Sequence, residues 1–434
     1  MAVHFGTDGI RGRADETITP QLANRLGRAV AKVFSGQHAF VGYDTRESSP
    51  SLAAAALAGL RAGGSTVTNL GVFTTSGVAV MCEQRGGVGV IVSASHNPYF
   101  DNGLKVVGPG GSKLDLDTEM ALEEALNAVD GESGPFEDIP VDQSAHDDYL
   151  SRLQAVLSPG SLQGLRVVLD CANGAASSFA PTLFRALGAD VQVMHAAPNG
   201  TNINRDCGST HPESLQNRVR ATGSDLGLAF DGDADRLVAI DSHGNVRDGD
   251  DLMVIFALDR HDEGRLGGAL VVTTMSNLGL RRAMRNARIA LIQTDVGDRN
   301  VVLALEEHDL QFGGEQSGHL IFRDVLPTGD GMLSGLLLCD VVRRKGRLSQ
   351  LADEAWQRLP QKLINVPTSL FDAEFVDELY HQHCRDFDVT EGDARLLVRP
   401  SGTEPVVRVM IEALDEAMVD SFVQSVRAQF TSPS

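Results

Sequence analysis

Short apolar runs rich in β-branched residues recur along the chain. Each is closed by small or polar residues and followed by a longer stretch with apolar positions at helical spacing. That alternation predicts strands and helices in turn. Residues 39–44 read as a strand, 51–62 as an Ala- and Leu-rich helix, and 65–70 as a second strand. The same grammar returns at 166–170, about 178–187 and 190–194, and again at 270–274, a helix ending near 285, and 288–293. The period is too long for a solenoid repeat and fits three homologous α/β domains. Right-handed strand–helix–strand crossovers make their sheets mainly parallel. The run 87–92 is apolar without interruption and reads as a buried strand.

The last stretch changes pattern. Residues 360–368 hold two prolines and no helical period, which marks a linker. Beyond it a helix over 373–383, strands over 395–398 and 406–412, and a closing helix over 416–430 make a small α+β unit. The polar, acidic stretch 130–148 marks a first domain boundary.

Composition narrows the class. With 434 residues, 42% apolar and 22% charged, the chain is an ordinary globular one, long enough for about two to four domains. A net charge of −21 argues against nucleic-acid partners and against docking on anionic membranes. An anionic substrate must then be met by a local basic cluster. The five cysteines (Cys82, Cys171, Cys207, Cys339, Cys384) are scattered and form no C-x-x-C, which suits a reducing compartment. No signal-peptide pattern and no apolar run near the roughly 18 residues of a spanning helix occur, so the expected location is cytoplasmic.

The candidate chemistry sits between the runs. Strand 87–92 ends in Ser93-Ala94-Ser95-His96-Asn97-Pro98, and Asn-Pro is a turn signal. This places Ser95 and His96 exposed at the carboxyl end of a core strand, where α/β proteins hold reactive groups. Asp101-Asn102-Gly103-Leu104-Lys105 reads as a tight turn returning Lys105 to that neighbourhood. Near the start, the glycine-rich stretch 5–13 reads as a loop whose Arg11 can fork onto a phosphate. Strand 226–230 runs into Asp231-Gly232-Asp233-Ala234-Asp235-Arg236, then a strand over 237–240. Three carboxylates at alternate positions can converge on Mg²⁺, which takes hard oxygen ligands. An EF-hand fails, because its sixth and twelfth positions would be Arg236 and Ser242. Gly313-Gly314-Glu315-Gln316-Ser317-Gly318-His319 alternates donors and acceptors in the way sugar hydroxyls are recognised. Arg399-Pro400-Ser401-Gly402-Thr403-Glu404-Pro405, with Arg408 beyond, can form an anion cradle. The run from Gly108 to Lys113 lacks the spacing of a phosphate loop, and no G-x-S-x-G surrounds Ser95.

Together these five motifs, in this order across nearly the whole chain, resemble the α-D-phosphohexomutase family. The stretches 198–204, 248–250, 275–279 and 296–299 resemble its amino-sugar branch. The resemblance implies three homologous α/β domains with mixed sheets plus a small C-terminal α+β domain, with the active-site cleft between the four. The expected spans are 1–150 (phosphoserine loop), 151–248 (Mg²⁺-binding loop), 249–362 (sugar-binding loop) and 363–434 (phosphate binding). It implies a phosphoserine at Ser95 and one Mg²⁺ held by that group with Asp231, Asp233 and Asp235. Arg11, His96 and Lys105 would surround the transferring phosphoryl group. Arg236, Glu315, Ser317 and His319 would contact the sugar, and Arg399, Ser401, Gly402, Thr403 and Arg408 its distal phosphate. The implied reaction moves phosphate within a hexose phosphate through a hexosamine 1,6-bisphosphate, in a monomer or homodimer. Sister mutases acting on glucose or mannose phosphates, and a metal-dependent sugar-phosphate phosphatase using the same aspartates, stay open at this point.

Overall fold

The computed structural model describes residues 9–390, 392–401 and 405–430. The chain divides into two compact units, one running to Thr274 and including Ala290–Glu354, the other Met275–Ile289 with the chain from Ala355 onward.

The first unit carries three mixed sheets. The first is built from β1 (Ile10–Arg13), β2 (Ala39–Tyr43), β3 (Val67–Val72), β4 (Val88–Val92) and β5 (Asp101–Val107), in the order β1-β5-β4-β2-β3. β2 runs parallel to β3 and β4, while β5 returns antiparallel to β4. Helices α1 (Pro20–Val33), α2 (Ser49–Ala62), α3 (Thr75–Arg85), α4 (Leu116–Ala128) and α5 (Ser144–Gln154) belong to the same region. Thr19 caps α1 by accepting from Leu22 N, and Pro20 opens the helix where no N–H is needed. β4 is buried at every position, which is why its sequence is apolar throughout.

The second sheet takes β6 (Arg166–Asp170), β7 (Asp190–Met194), β8 (Leu226–Phe230), β9 (Leu237–Asp241) and β10 (Val246–Arg247), in the order β10-β9-β8-β6-β7. Helices α6 (Ala180–Ala186) and α7 (Glu213–Thr222) accompany it. Next comes α8 (Gly249–Asp262), then β11 (Ala269–Thr273), α9 (Leu278–Asn286, part of the second unit), β12 (Ala290–Thr294) and α10 (Asp298–Glu307). β13 (Phe312–Gly314) and β14 (Leu320–Phe322) complete the third sheet, order β12-β11-β13-β14, followed by α11 (Gly331–Lys345) and α12 (Leu348–Ala355). In all three sheets the strand–helix–strand pair expected from the sequence is parallel (β2/β3, β6/β7, β11/β12).

The second unit holds β15 (Gln361–Pro367), α13 (Ala373–Asp386), β16 (Ala394–Pro400), β17 (Val406–Ala413) and α14 (Glu416–Phe430). Its sheet is antiparallel, order β15-β17-β16, over a core that includes Val409, Ile411, Val419 and Phe422. The architecture is therefore α/β for three domains and α+β for the last.

Three local readings are corrected. The stretch 360–368 is not a linker but contains β15, an edge strand, where its closing Pro367 removes no central ladder bond. Residues 101–105 are not a tight turn but the start of β5; the chain reverses at 94–101, where Asn97 N donates to Ala94 O and Asp101 N to Pro98 O. Ile10–Arg13, read as part of a loop, is strand β1 paired with β5. All five cysteines are free thiols, and among the described residues no helix is long and apolar enough to cross a membrane.

Candidate active site

The loops singled out in the first unit meet at the carboxyl ends of their strands. Ser95 sits in the left-handed region (φ 52°) after β4 and is only 1% exposed, not exposed as its strand-end position suggested. Its hydroxyl donates to Asp231 Oδ2 at 2.5 Å, and His96 Nδ1 lies 3.5 Å from Ser95 Oγ. The two loops approach so closely that a Cβ on Gly232 would meet the Ser95 carbonyl oxygen at 2.5 Å. Only glycine fits there.

A support that the motif reading missed holds Ser95 in place. Arg46 is completely buried and ion-paired to Asp44, Nε to Oδ2, at 2.8 Å. Its guanidinium donates to the carbonyls of Ser95 and Asn97 at 2.9 Å and of Asp101 at 3.0 Å, and also to that of Pro98. Asp44 accepts from the Ser93 hydroxyl at 2.7 Å, and Ser93 Oγ in turn accepts from Ser95 N at 2.9 Å. Asn204 Nδ2 adds a second donor to the Ser95 carbonyl at 2.9 Å. The available signal was position: Asp44 and Arg46 follow β2, the parallel neighbour of β4.

Asp231, Asp233 and Asp235 are all buried, and each offers a carboxylate oxygen within 4.8 Å of the others. Their surroundings differ. Burial, then the charges of Asp235 and Asp233, pushes Asp231 well above the usual carboxylate range. Burial works the same way on Asp233, but Lys105 Nζ at 2.8 Å and Thr75 Oγ1 at 2.6 Å outweigh it and hold Asp233 low. For Asp235 burial is outweighed by His319, whose Nδ1 lies 3.7 Å away, and the acid is held well below its ordinary value. Burial lowers His319, yet Asp235, Asp298 and Glu315 raise it to about 8. Asp298 is in turn tied to Lys113 at 2.6 Å. Thr75 and Asp298 carried no individual signal in the sequence. Asp233 Oδ1 and Asp235 Oδ1 are buried without a hydrogen-bond partner among the described residues. Two such orphaned oxygens, with a third carboxylate beside them, fit a hard divalent cation of the Mg²⁺ type.

His96 is lowered to about 4, first by burial and then by Arg236 and Arg11, so its ring is neutral near pH 7. Arg236 N donates to Asp231 Oδ1 at 3.2 Å. Arg11 belongs to β1, where it pairs in register with Gly103 of β5. The loop between β13 and β14 is locked to the strand that follows the Asp231–Arg236 loop: Leu237 N donates to Gly318 O at 3.0 Å, and a Cβ on Gly318 (φ 89°) would meet Leu237 O at 2.1 Å. Within it Glu315 is raised by burial and accepts from Gly297 N at 3.0 Å through Oε1. Ser317 is exposed beside it. His319 points to Asp235 and Asp298.

In the second unit Arg399 of β16 and Arg408 of β17 are register partners. Like charges directly opposite each other are unfavourable without a counter-ion. Burial and then Arg408 lower Arg399, and Arg399 Nε is buried with no hydrogen-bond partner among the described residues. Ser401 N donates to Val406 O at 2.8 Å. Gly402 and Thr403 lie outside the described residues.

Comparison with known proteins gives a consistent picture. Family models described as phosphoglucomutase/phosphomannomutase match in four parts: α/β/α domain I over residues 2–132, domain II over 147–244, domain III over 248–359 and the C-terminal domain over 382–429. A phosphoglucosamine mutase of Desulforudis audaxviator is 46% identical over 98% of this chain and 97% of its own length. One of Halalkalibacterium halodurans is 43% identical over 98% of both. Among solved structures, a phosphoglucomutase/phosphomannomutase family protein of Burkholderia thailandensis superposes with a TM-score of 0.82 at 26% identity, covering 100% of this chain and 98% of that one.

Proposed function

The chain belongs to the phosphoglucomutase/phosphomannomutase family, and on that premise we propose that it is a phosphoglucosamine mutase. It interconverts glucosamine 6-phosphate and glucosamine 1-phosphate with Ser95 as the phosphate carrier. The observation that carries this reading is the Ser95 hydroxyl at 2.5 Å from Asp231, inside a buried acidic triplet. A serine hydroxyl aimed at a candidate Mg²⁺ site suits storage of a phosphoryl group. It lacks the partnered histidine of a hydrolytic triad, since His96 has no orienting carboxylate hydrogen bond among the described residues.

In this reading Asp231, Asp233, Asp235 and the phosphorylated Ser95 would hold one Mg²⁺, which would supply charge neutralisation for the phosphoryl oxygens. Phosphoryl transfer needs positioning and electrostatic stabilisation more than covalent help. Arg46 and Asp44 fix the direction of the Ser95 side chain. Arg11 and Arg236 add positive charge around the transferring group, and His96 and Lys105 are the proton-transfer groups. Glu315 and Ser317 orient sugar hydroxyls, and Arg399, Ser401, Gly402, Thr403 and Arg408 hold the phosphate that is not reacting. Phospho-Ser95 gives its phosphoryl group to the free sugar hydroxyl, whose proton is removed, forming the 1,6-bisphosphate. The bisphosphate then turns over, and its other phosphate returns to the Ser95 oxygen. Phosphate is conserved throughout.

The test is direct. Incubation with Mg²⁺ and, in parallel, glucosamine 6-phosphate, glucose 1-phosphate and mannose 1-phosphate should give fastest isomerisation of the amino sugar, without net phosphate release. Faster turnover of the glucose or mannose ester would move the protein to a sister specificity. Stoichiometric phosphate release would replace the mutase with a phosphatase.

A further inference from the structure

The metal loop Asp231–Arg236 leaves the carboxyl end of β8. At the opposite, amino end of the same sheet lies an open cleft of about 560 Å³ lined by polar residues. Arg166 opens β6, Asp225 precedes β8, Ser242 and His243 follow the antiparallel β9, and Arg343 and Arg347 come from the end of α11 and just beyond it. Five-residue strands place this cleft about 16 Å of sheet away from the catalytic loops.

Its charge is at odds with the rest of the molecule. The chain carries −21, yet three guanidinium groups line this one cleft. Arg344 and Lys345, between the cleft arginines, are consumed by acids: Arg344 by Asp259 and Asp340, Lys345 by Asp259 and Asp262. The side chains of Arg343 and Arg347 have neither an ion pair nor a hydrogen bond among the described residues, and both residues are exposed. The only carboxylate in the lining, Asp225, is occupied by Arg166, accepting from its backbone N at 2.8 Å and lying 3.5 Å from its guanidinium. Two positive charges therefore remain uncompensated beside the Ser224 and Ser242 hydroxyls. Fork-shaped guanidinium donors match phosphate oxygens, and a pair of them suits a ligand with at least two negative charges. A small molecule suits the cleft better than a nucleic-acid backbone, because the global charge of −21 opposes the latter.

We propose that this cleft is a second anion site, separate from the mutase centre, which binds a small molecule carrying a diphosphate group. Its position has a structural corollary. α11 begins at Gly331, whose N donates to Ala234 O of the metal loop at 2.9 Å, so one helix runs from that loop to the cleft.

The full chain and its Arg343→Ala/Arg347→Ala variant are to be titrated calorimetrically in metal-free buffer with two probes, inorganic pyrophosphate and ADP. Both arginines are exposed, and neither belongs to the mutase site, so folding and basal isomerisation should be unchanged. The wild type should show a class of sites for at least one probe that is about tenfold or more weaker, or absent, in the variant. Tighter binding of ADP would assign a nucleotide ligand, and equal or weaker binding a bare or sugar-borne diphosphate. Coincident isotherms for wild type and variant with both probes would overturn the proposal. So would binding lost only in an Arg399→Ala variant.

Discussion

Ser95 Oγ donates to Asp231 Oδ2 at 2.5 Å across the junction of two domains, with a glycine at 232 as the condition for that approach. Asp231 is the acid of the triplet that burial and its two neighbours push upward, so a serine proton on it is favourable in the absence of a cation. Ser95→Ala should retain the fold, remove any phosphate detected by intact mass, and reduce isomerisation to background. A variant that keeps full turnover would remove Ser95 from the mechanism.

Arg46 acts on the reaction only through the Ser95 loop. Replacing it with Ala leaves Asp44 buried without its partner, which costs ~3–5 kcal/mol. Arg46→Lys keeps the charge but cannot reach four carbonyls at once. It should fold with a lower melting temperature and lose kcat about 10–100-fold, since small displacements of a reacting group are that costly. KM for the sugar phosphate should move little. Loss of KM with intact kcat would place Arg46 in substrate binding instead.

Much of this was legible in the sequence because local chemistry and strand patterning agree. The Asp231–Arg236 loop lies between two strands whose apolar pattern is unambiguous, and β8 and α14 fall on the residues the pattern indicates. What was not legible depends on distance. Arg46 is an ordinary charged residue until β2 and β4 pair and carry it under the Ser95 carbonyl. Thr75 reaches Asp233 across 158 positions. β15 was missed because Pro360 before it and Pro367 at its end are loop signals, and only the sheet order shows that it is an edge strand.

His319 distinguishes two roles by measurement. Its ring lies 3.7 Å from Asp235 and 3.8 Å from Asp298, the arrangement of a group that orients a carboxylate of the candidate metal site. His319→Gln should raise the Mg²⁺ concentration needed for half-maximal activity about 10–100-fold, the usual effect of removing such support. KM for glucosamine 6-phosphate at saturating Mg²⁺ should stay near the wild-type value. A change confined to KM would return His319 to the sugar.

Stability toward acid should depend on Asp241. Burial opposes its ionisation, but the Asn245 backbone amide and the Arg247 guanidinium, at 2.7 Å, outweigh burial and hold its carboxyl below the ordinary aspartate range. A depressed pKa means that the stabilisation is complete above the unfolded value and disappears as pH falls through the folded one. Urea unfolding at pH 7 should therefore show Asp241→Asn less stable than wild type by ~1–3 kcal/mol. The gap should narrow as pH falls below about 4. A gap that stays constant into acid would show that the carboxylate charge is not the source.

Arg399 and Arg408 face each other as register partners, and burial with mutual repulsion lowers Arg399. Arg399 Nε is buried without a hydrogen-bond partner among the described residues, and a phosphate bound to it would offset that repulsion. Arg399→Ala should raise KM for glucosamine 6-phosphate by about tenfold or more, the value of one lost charge-assisted hydrogen bond. It should leave phosphorylation of Ser95 intact. The same substitution should raise stability slightly in phosphate-free buffer and abolish most of the thermal stabilisation that inorganic phosphate gives the wild type. Equal phosphate stabilisation of both proteins would show that the distal phosphate is held elsewhere.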